Sequence, residues 1–181
     1  WVYPYVAYSD RNLNAWYEAD DIRRFSYGVE LQYRNFWGQK HNLDFTFISG
    51  YNQNYSLLYD VPYLIGKQYL GLKFGGGYKR DKEVAYITEN NKILYFNGDD
   101  EFAKQHFFAF VEPYLRFTHR NKLFLNFSYN NALFHESLSS LNDDFFNSKG
   151  TSFQYFSLLL TFKNDYRDEQ NYPLDGHYFE L

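Results

Sequence analysis

The 181-residue sequence contains no cysteine, so neither a disulfide framework nor a thiolate metal site can stabilise it or supply chemistry. It also lacks any apolar run approaching the roughly 18 residues that a transmembrane helix needs. A helical membrane bundle is therefore excluded. Charge of neither sign dominates: 18 Lys and Arg stand against 22 Asp and Glu, a net charge of −4 with a pI near 5.7. That is not the basic footprint of a nucleic-acid binder, and no nucleic acid is expected as a partner.

Glycine is sparse, and the run Gly75-Gly76-Gly77 lacks the Lys-Ser/Thr pair and the following helix of a phosphate loop. It reads instead as a kink, or as bare strand backbone beneath an aromatic ring. His41, His106, His119, His135 and His177 show no metal-ligand spacing. The contiguous His135-Glu136-Ser137 suits a loop better than a catalytic triad. The acidic runs Asp99-Asp100-Glu101 and Asp143-Asp144 read as solvated loop charge, with a bound divalent cation as the lesser alternative. No catalytic residue, cofactor or metal is assigned.

What the sequence does have is aromatic side chains, 20 Tyr and 20 Phe among them, in a chain whose mean hydropathy is nonetheless negative. They fall at every second position. In residues 153–162, Phe156, Leu158, Leu160 and Phe162 occupy one face and Tyr155, Ser157, Leu159 and Thr161 the other, which is the period of a strand. Residues 25–34, 41–51, 55–61, 69–79, 106–117 and 122–131 repeat the pattern, and residues 1–9 and 177–181 are shorter versions of it. Residues 84–88 and 92–96 make a hairpin flanked by charge, read as a strand extension beyond a bilayer. The tally is about nine strands, most near the roughly ten residues that cross a bilayer on a tilt.

Within these strands Glu30, Arg34, Asp44, Asp60, Lys73, Glu112 and Arg116 fall on the more polar face, leaving Phe, Tyr and Leu on the other. A Lys or Arg at mid-depth on a lipid-facing surface costs about 2–4 kcal/mol. The reading is an all-β, antiparallel, up-and-down transmembrane β-barrel with interfacial aromatic girdles. A soluble sandwich or lipocalin-like barrel is the alternative. Connections near Gly38, Gly66, Asn121 and Pro173 are expected to be brief and periplasmic. Those around Asp20, Gln53, Asn90 and Asp143 are expected to be exterior and either longer or carried on longer strand extensions, so that the first strand rises from the periplasm.

Three turns carry a resemblance to a known family. The strand from Tyr27 runs into NFWG, with Asn35, Phe36 and Gly38, and resembles the strand-turn signature of the BamA superfamily, the bacterial surface antigen family of outer-membrane β-barrel insertases. LLYDVPYLIGKQYLGL, with Pro62 and Tyr63, is similar to that family's Pro-Tyr turn. DYRDEQNYPLDGHYFEL resembles its D-x-R-D…P-x-x-G turn through Asp165, Arg167, Asp168, Pro173 and Gly176. The weight of Tyr and Phe is similar to aromatic-rich variants of the Bacteroidota.

The resemblance implies that residues 1–181 are the N-terminal part of a BamA-like barrel, which in that family has sixteen strands. POTRA domains, the C-terminal strands and a lumenal Arg-Gly-Phe/Tyr loop are expected outside these residues. It further implies a bacterial outer-membrane location and contact with lipid and lipopolysaccharide. Client β-barrel proteins and accessory lipoproteins would be its partners, and its mechanism would involve no covalent step. Clients would pair with a lateral-gate edge formed here by Trp1, Val2, Tyr3, Pro4, Tyr5, Val6, Ala7 and Tyr8, by strand addition. Pro4 lacks a donor, which either keeps that seam weak or simply marks a strand start. Asp165, Arg167 and Asp168 are expected to pair structurally within their turn. Rival readings are a secretion transporter of the same superfamily, a passive outer-membrane channel, and a phospholipase domain fused outside this region.

Overall fold

A computed structural model describes residues 1–8, 24–64, 68–98, 101–142, 150–169 and 171–181. The strands are β1 (Val2–Tyr8), β2 (Phe25–Phe36), β3 (His41–Gly50), β4 (Gln53–Val61), β5 (Leu70–Asp81), β6 (Glu83–Glu89), β7 (Lys92–Asn97), β8 (Lys104–Arg116), β9 (Asn121–Phe134), β10 (Ser152–Asp165) and β11 (Tyr178–Glu180). A short helix, α1 (Ser137–Leu141), precedes β10. Nine strands form one antiparallel sheet in the order β1-β2-β3-β4-β5-β8-β9-β10-β11. β6 and β7 pair only with each other, as the hairpin pattern predicts. Each sheet strand lies beside its neighbour in the chain except where that hairpin intervenes, the meander of an up-and-down barrel. The sheet is not closed; β1 and β11 are its edges.

Register sorts the side chains. Val29, Phe47 and Tyr55 stand in one cross-strand row, as do Leu57 and Gly76, and Val111, Phe127 and Leu158. Glu30, Thr46 and Ser56 form a row on the opposite face, as do Asp60, Lys73 and Glu112. All seven charged residues singled out in the sequence lie on this second, inner face. The strands β2, β5, β8, β9 and β10 run to 12–14 residues, longer than the roughly 9–11 that a tilted membrane strand requires.

Few of the described residues are buried. Among the described residues the buried apolar side chains are Ile48, Tyr51, Ala103, Tyr114, Ala132 and Leu138, while Phe127, Leu158 and Leu160 stay 45%, 65% and 59% exposed. A sandwich or lipocalin would enclose such residues between sheets or inside a closed barrel. In the Gly75-Gly76-Gly77 run the aromatic-packing reading holds for Gly77 alone; a Cβ on Gly75 would meet Leu57 and Leu58, and one on Gly76 the Phe108 carbonyl oxygen. A Cβ on Gly77 would lie 2.8 Å from the Phe108 ring, and one on Gly71 would lie 2.2 Å from Cζ of Tyr114.

The connections depart from the expected short-long alternation. Around Gln53 the expected long exterior connection is replaced by Tyr51 and Asn52 alone. Side chains tighten it: Asn52 N–H donates to Ser26 Oγ at 3.0 Å, and Asn52 Oδ1 accepts from Lys82 N–H at 3.2 Å. Conversely, residues 166–177 make a long connection on the nominally brief side. The loop before β10 holds α1, whose Leu138 is fully buried. Asp20, Gly66, Asp99, Asp100, Asp143 and Asp144 lie outside the described residues.

Candidate functional site: the open edge, the turns and the two faces

β1 carries the residues expected at a pairing edge. Trp1 and Gln32 exchange reciprocal backbone hydrogen bonds of 2.8 and 2.9 Å. In an antiparallel ladder such pairs recur at every second residue, so Trp1, Tyr3, Tyr5 and Ala7 direct their backbone polar groups toward β2. Val2, Pro4, Val6 and Tyr8 direct theirs to the open side. The N–H that Pro4 lacks is thus missing from the free edge rather than from the ladder with β2. Pro4 also sits within the strand, opposite Val29, so it does not mark the strand start. The open edge offers donors at Val2, Val6 and Tyr8, with a gap in the middle.

The turn after β2 explains its own composition. Asn35, Trp37, Gly38 and Lys40 all have φ between +56° and +70°, a region open to Gly and tolerated by Asn. Asn35 also accepts the Lys40 N–H through Oδ1 at 2.8 Å and the Gly38 N–H through its carbonyl at 2.9 Å. A register shift between Arg34 and Phe36 brings the Phe36 ring beside Tyr33, Trp37 and Tyr59, with centroids 5.3, 4.7 and 6.2 Å away. The result is an aromatic cluster at the strand ends.

Pro62 and Tyr63 meet a residue distant in the chain. Arg116 donates to the Pro62 carbonyl, and its guanidinium lies 5.0 Å from the Tyr63 ring centroid. The same guanidinium donates to Tyr114 Oη at 3.1 Å, and Tyr114 donates to Asp60 Oδ1 at 2.9 Å. Asn42 supplies Asp60 with a second donor at 3.2 Å. Beside this chain Lys73 pairs with Glu112 at 3.5 Å, and Asn126 donates to Glu112 at 2.8 Å. Ionised groups on the inner face are thus mostly paired with one another or held by neutral donors.

In the turn after β10, Arg167 grips Asp165 through two bonds of 2.8 Å, and its guanidinium lies 4.5 Å from the Tyr178 ring centroid. Asp168 does not join that ion pair. Its Oδ1 accepts backbone N–H groups of Glu169, Leu174 and Asp175 at 2.8, 3.1 and 3.3 Å. These donors, that of Glu169 foremost, hold the Asp168 carboxyl below the usual aspartate range. Gly176 has φ +99°, and a Cβ there would lie 2.1 Å from the Tyr166 carbonyl oxygen. Pro173 lies within the segment that folds back onto Asp168. The histidines go to separate tasks: His41 bonds the Tyr59 hydroxyl, His106 bonds Asn130, His135 reaches Glu101 and His177 stacks on Tyr166.

No family model and no curated protein matches the sequence. The fold is similar to the crystal structure of BamA from Haemophilus ducreyi lacking POTRA domains 1–3, with a TM-score of 0.53 and 12% sequence identity. The similarity covers 99% of this chain and 32% of that one, so these residues span about a third of its length. At that identity the likeness establishes the fold: a BamA-like barrel sheet, nearly all-β and open on both sides.

Proposed function

We propose that residues 1–181 are the N-terminal part of a β-barrel domain in the bacterial outer membrane, and that this barrel assembles other β-barrel proteins by strand pairing at the open edge of β1. The observation that carries the reading is the exposed apolar outer face of a BamA-like sheet in which β1, among the described residues, is bordered on one side only. In lipid, each unsatisfied backbone group costs several kcal/mol, so an edge strand within the bilayer calls for a partner. Main-chain pairing accepts many client sequences, because the donors and acceptors are the same in every strand.

Pro4 makes that pairing selectively weak. A partner strand whose carbonyl falls opposite Pro4 finds no donor, at a cost on the order of 1–3 kcal/mol. An edge flawed in this way pairs well enough to hold a client strand and poorly enough to release it. Lipid, lipopolysaccharide, client barrels and accessory lipoproteins are the partners this reading calls for, and the process needs no covalent chemistry or cofactor.

The test is reconstitution of the full-length protein in lipid vesicles with an unfolded outer-membrane barrel as client. Faster client folding than in empty vesicles, abolished when β1 is tethered to the strand that closes against it, supports the proposal. Client folding unaffected by the protein rejects it. Steady ion conductance without any effect on folding identifies a passive channel, and release of a soluble passenger identifies a secretion transporter.

A further inference from the structure

Three cations stand in one cross-strand row on the inner face: Arg116 opposite Lys122, and Lys122 opposite Lys163. Like charges directly opposite each other oppose pairing, so each needs an anion or a compensating contact. Lys163 has one, Glu180 at 3.4 Å. Arg116 is engaged by the carbonyls of Pro62 and Gln68 and by the Tyr114 hydroxyl. Lys122 forms neither a hydrogen bond nor a close ion pair among the described residues. The carboxylate on which its charge acts, Asp165, is already gripped by Arg167.

Lys122 lines a cavity of about 420 Å³ together with Lys73, Arg116, His119, Asp60 and Tyr114. The acidic group that lines it, Asp60, is already held by Tyr114 and Asn42, and Glu112 beside it by Lys73 and Asn126. What remains is an ammonium with three free donors, a neighbouring imidazole, and a guanidinium held rigidly by backbone carbonyls. Arg116 cannot swing away to relieve the repulsion without breaking those bonds.

We propose that this cavity is a binding site for an oxyanion, a carboxylate or a phosphate, with Lys122 as the residue that touches it and Arg116 fixing the positive field around it. Lys73 and His119 flank the position the anion takes. An anion there completes the cation row and gives the Lys122 ammonium a hydrogen-bonded partner. The site depends on the inner-face geometry and not on client insertion, so the two proposals stand or fall separately.

Calorimetric titration of the full-length protein in detergent micelles at fixed ionic strength tests it, with inorganic pyrophosphate and triaspartate as separate probes. Saturable binding of either probe is expected, weakened by about tenfold in Lys122→Gln, retained in Lys122→Arg, and unchanged in Lys104→Gln at the far end of the sheet. Binding of pyrophosphate alone identifies a phosphate ligand, and binding of triaspartate alone identifies a peptide carboxylate. Absence of saturable binding by both probes overturns the proposal, as does equal binding by wild type and Lys122→Gln in samples with matching folded barrel content.

Discussion

Backbone geometry at two residues dictates side-chain identity without reference to partner or membrane. Gly176 combines a φ of +99° with a would-be Cβ 2.1 Å from a carbonyl oxygen. Gly176→Ala is expected to destabilise the folded protein by about 1–3 kcal/mol, measured as a lower urea midpoint in refolding experiments. Gly150→Ala, where no atom of the described residues lies within 4 Å of the added Cβ, should leave the midpoint unchanged. Asp168 supplies a pH test. Its folded-state pKa lies below its ordinary value of 3.8, so its contribution to stability is fully present above that value and fades as pH falls through the lowered one. The Leu174 amide proton, which the carboxylate accepts, should therefore hold its chemical shift from neutrality to about pH 4 and move only in more acidic solution. The Gly38 amide, bonded to a carbonyl, should not follow it. A Leu174 shift that moves between pH 5 and 7 would contradict this assignment.

The strands themselves were legible in the sequence, because alternation of residue type sets which face each side chain takes. Phe25 to Arg34 and Lys122 to Asn131 are examples: their apolar and polar sets occupy opposite faces, as read. Less legible was whatever depends on contacts between distant residues. Gly50, with φ +105°, is a local mark of the tight connection at Tyr51 and Asn52, but its side-chain ties come from distant Ser26 and Lys82. The Pro62-Tyr63 turn was recognisable as a turn, but its partner Arg116 lies 54 residues from Pro62. Asp168 was expected in an ion pair and instead holds backbone donors. On β1, the sequence located Pro4 at an edge, and the hydrogen-bonding phase set by Trp1 and Gln32 then assigned its missing donor to the open side. Pro4→Ala adds one donor there, and where β1 meets a partner strand the seam should strengthen by about 1 kcal/mol. Slower hydrogen exchange at Val6 and Tyr8 in the full-length protein would report it; unchanged exchange would show that Pro4 does not limit the seam.

At the scale of the molecule, the scarcity of buried side chains among the described residues and the sorting of strand charges onto one face have one physical explanation. On the proposed outer-membrane reading, hydrocarbon would solvate the outer face, and water with paired charges the inner one. Substitutions should divide accordingly. Phe127→Lys should cost about 2–4 kcal/mol in folding from urea into lipid vesicles, while Ser128→Lys, one residue on and facing inward, should cost little. The most direct measurement is spin-label accessibility along two adjacent strands. The 181 residues contain no cysteine, so single cysteines at Phe127, Ser128, Ser157 and Leu158 can be labelled in a full-length background free of other thiols. Labels at Phe127 and Leu158 should collide with oxygen dissolved in the lipid and be shielded from a water-soluble nickel chelate, with Ser128 and Ser157 showing the reverse. Equal access of the chelate to all four positions would contradict a lipid-facing outer surface, and with it the membrane barrel.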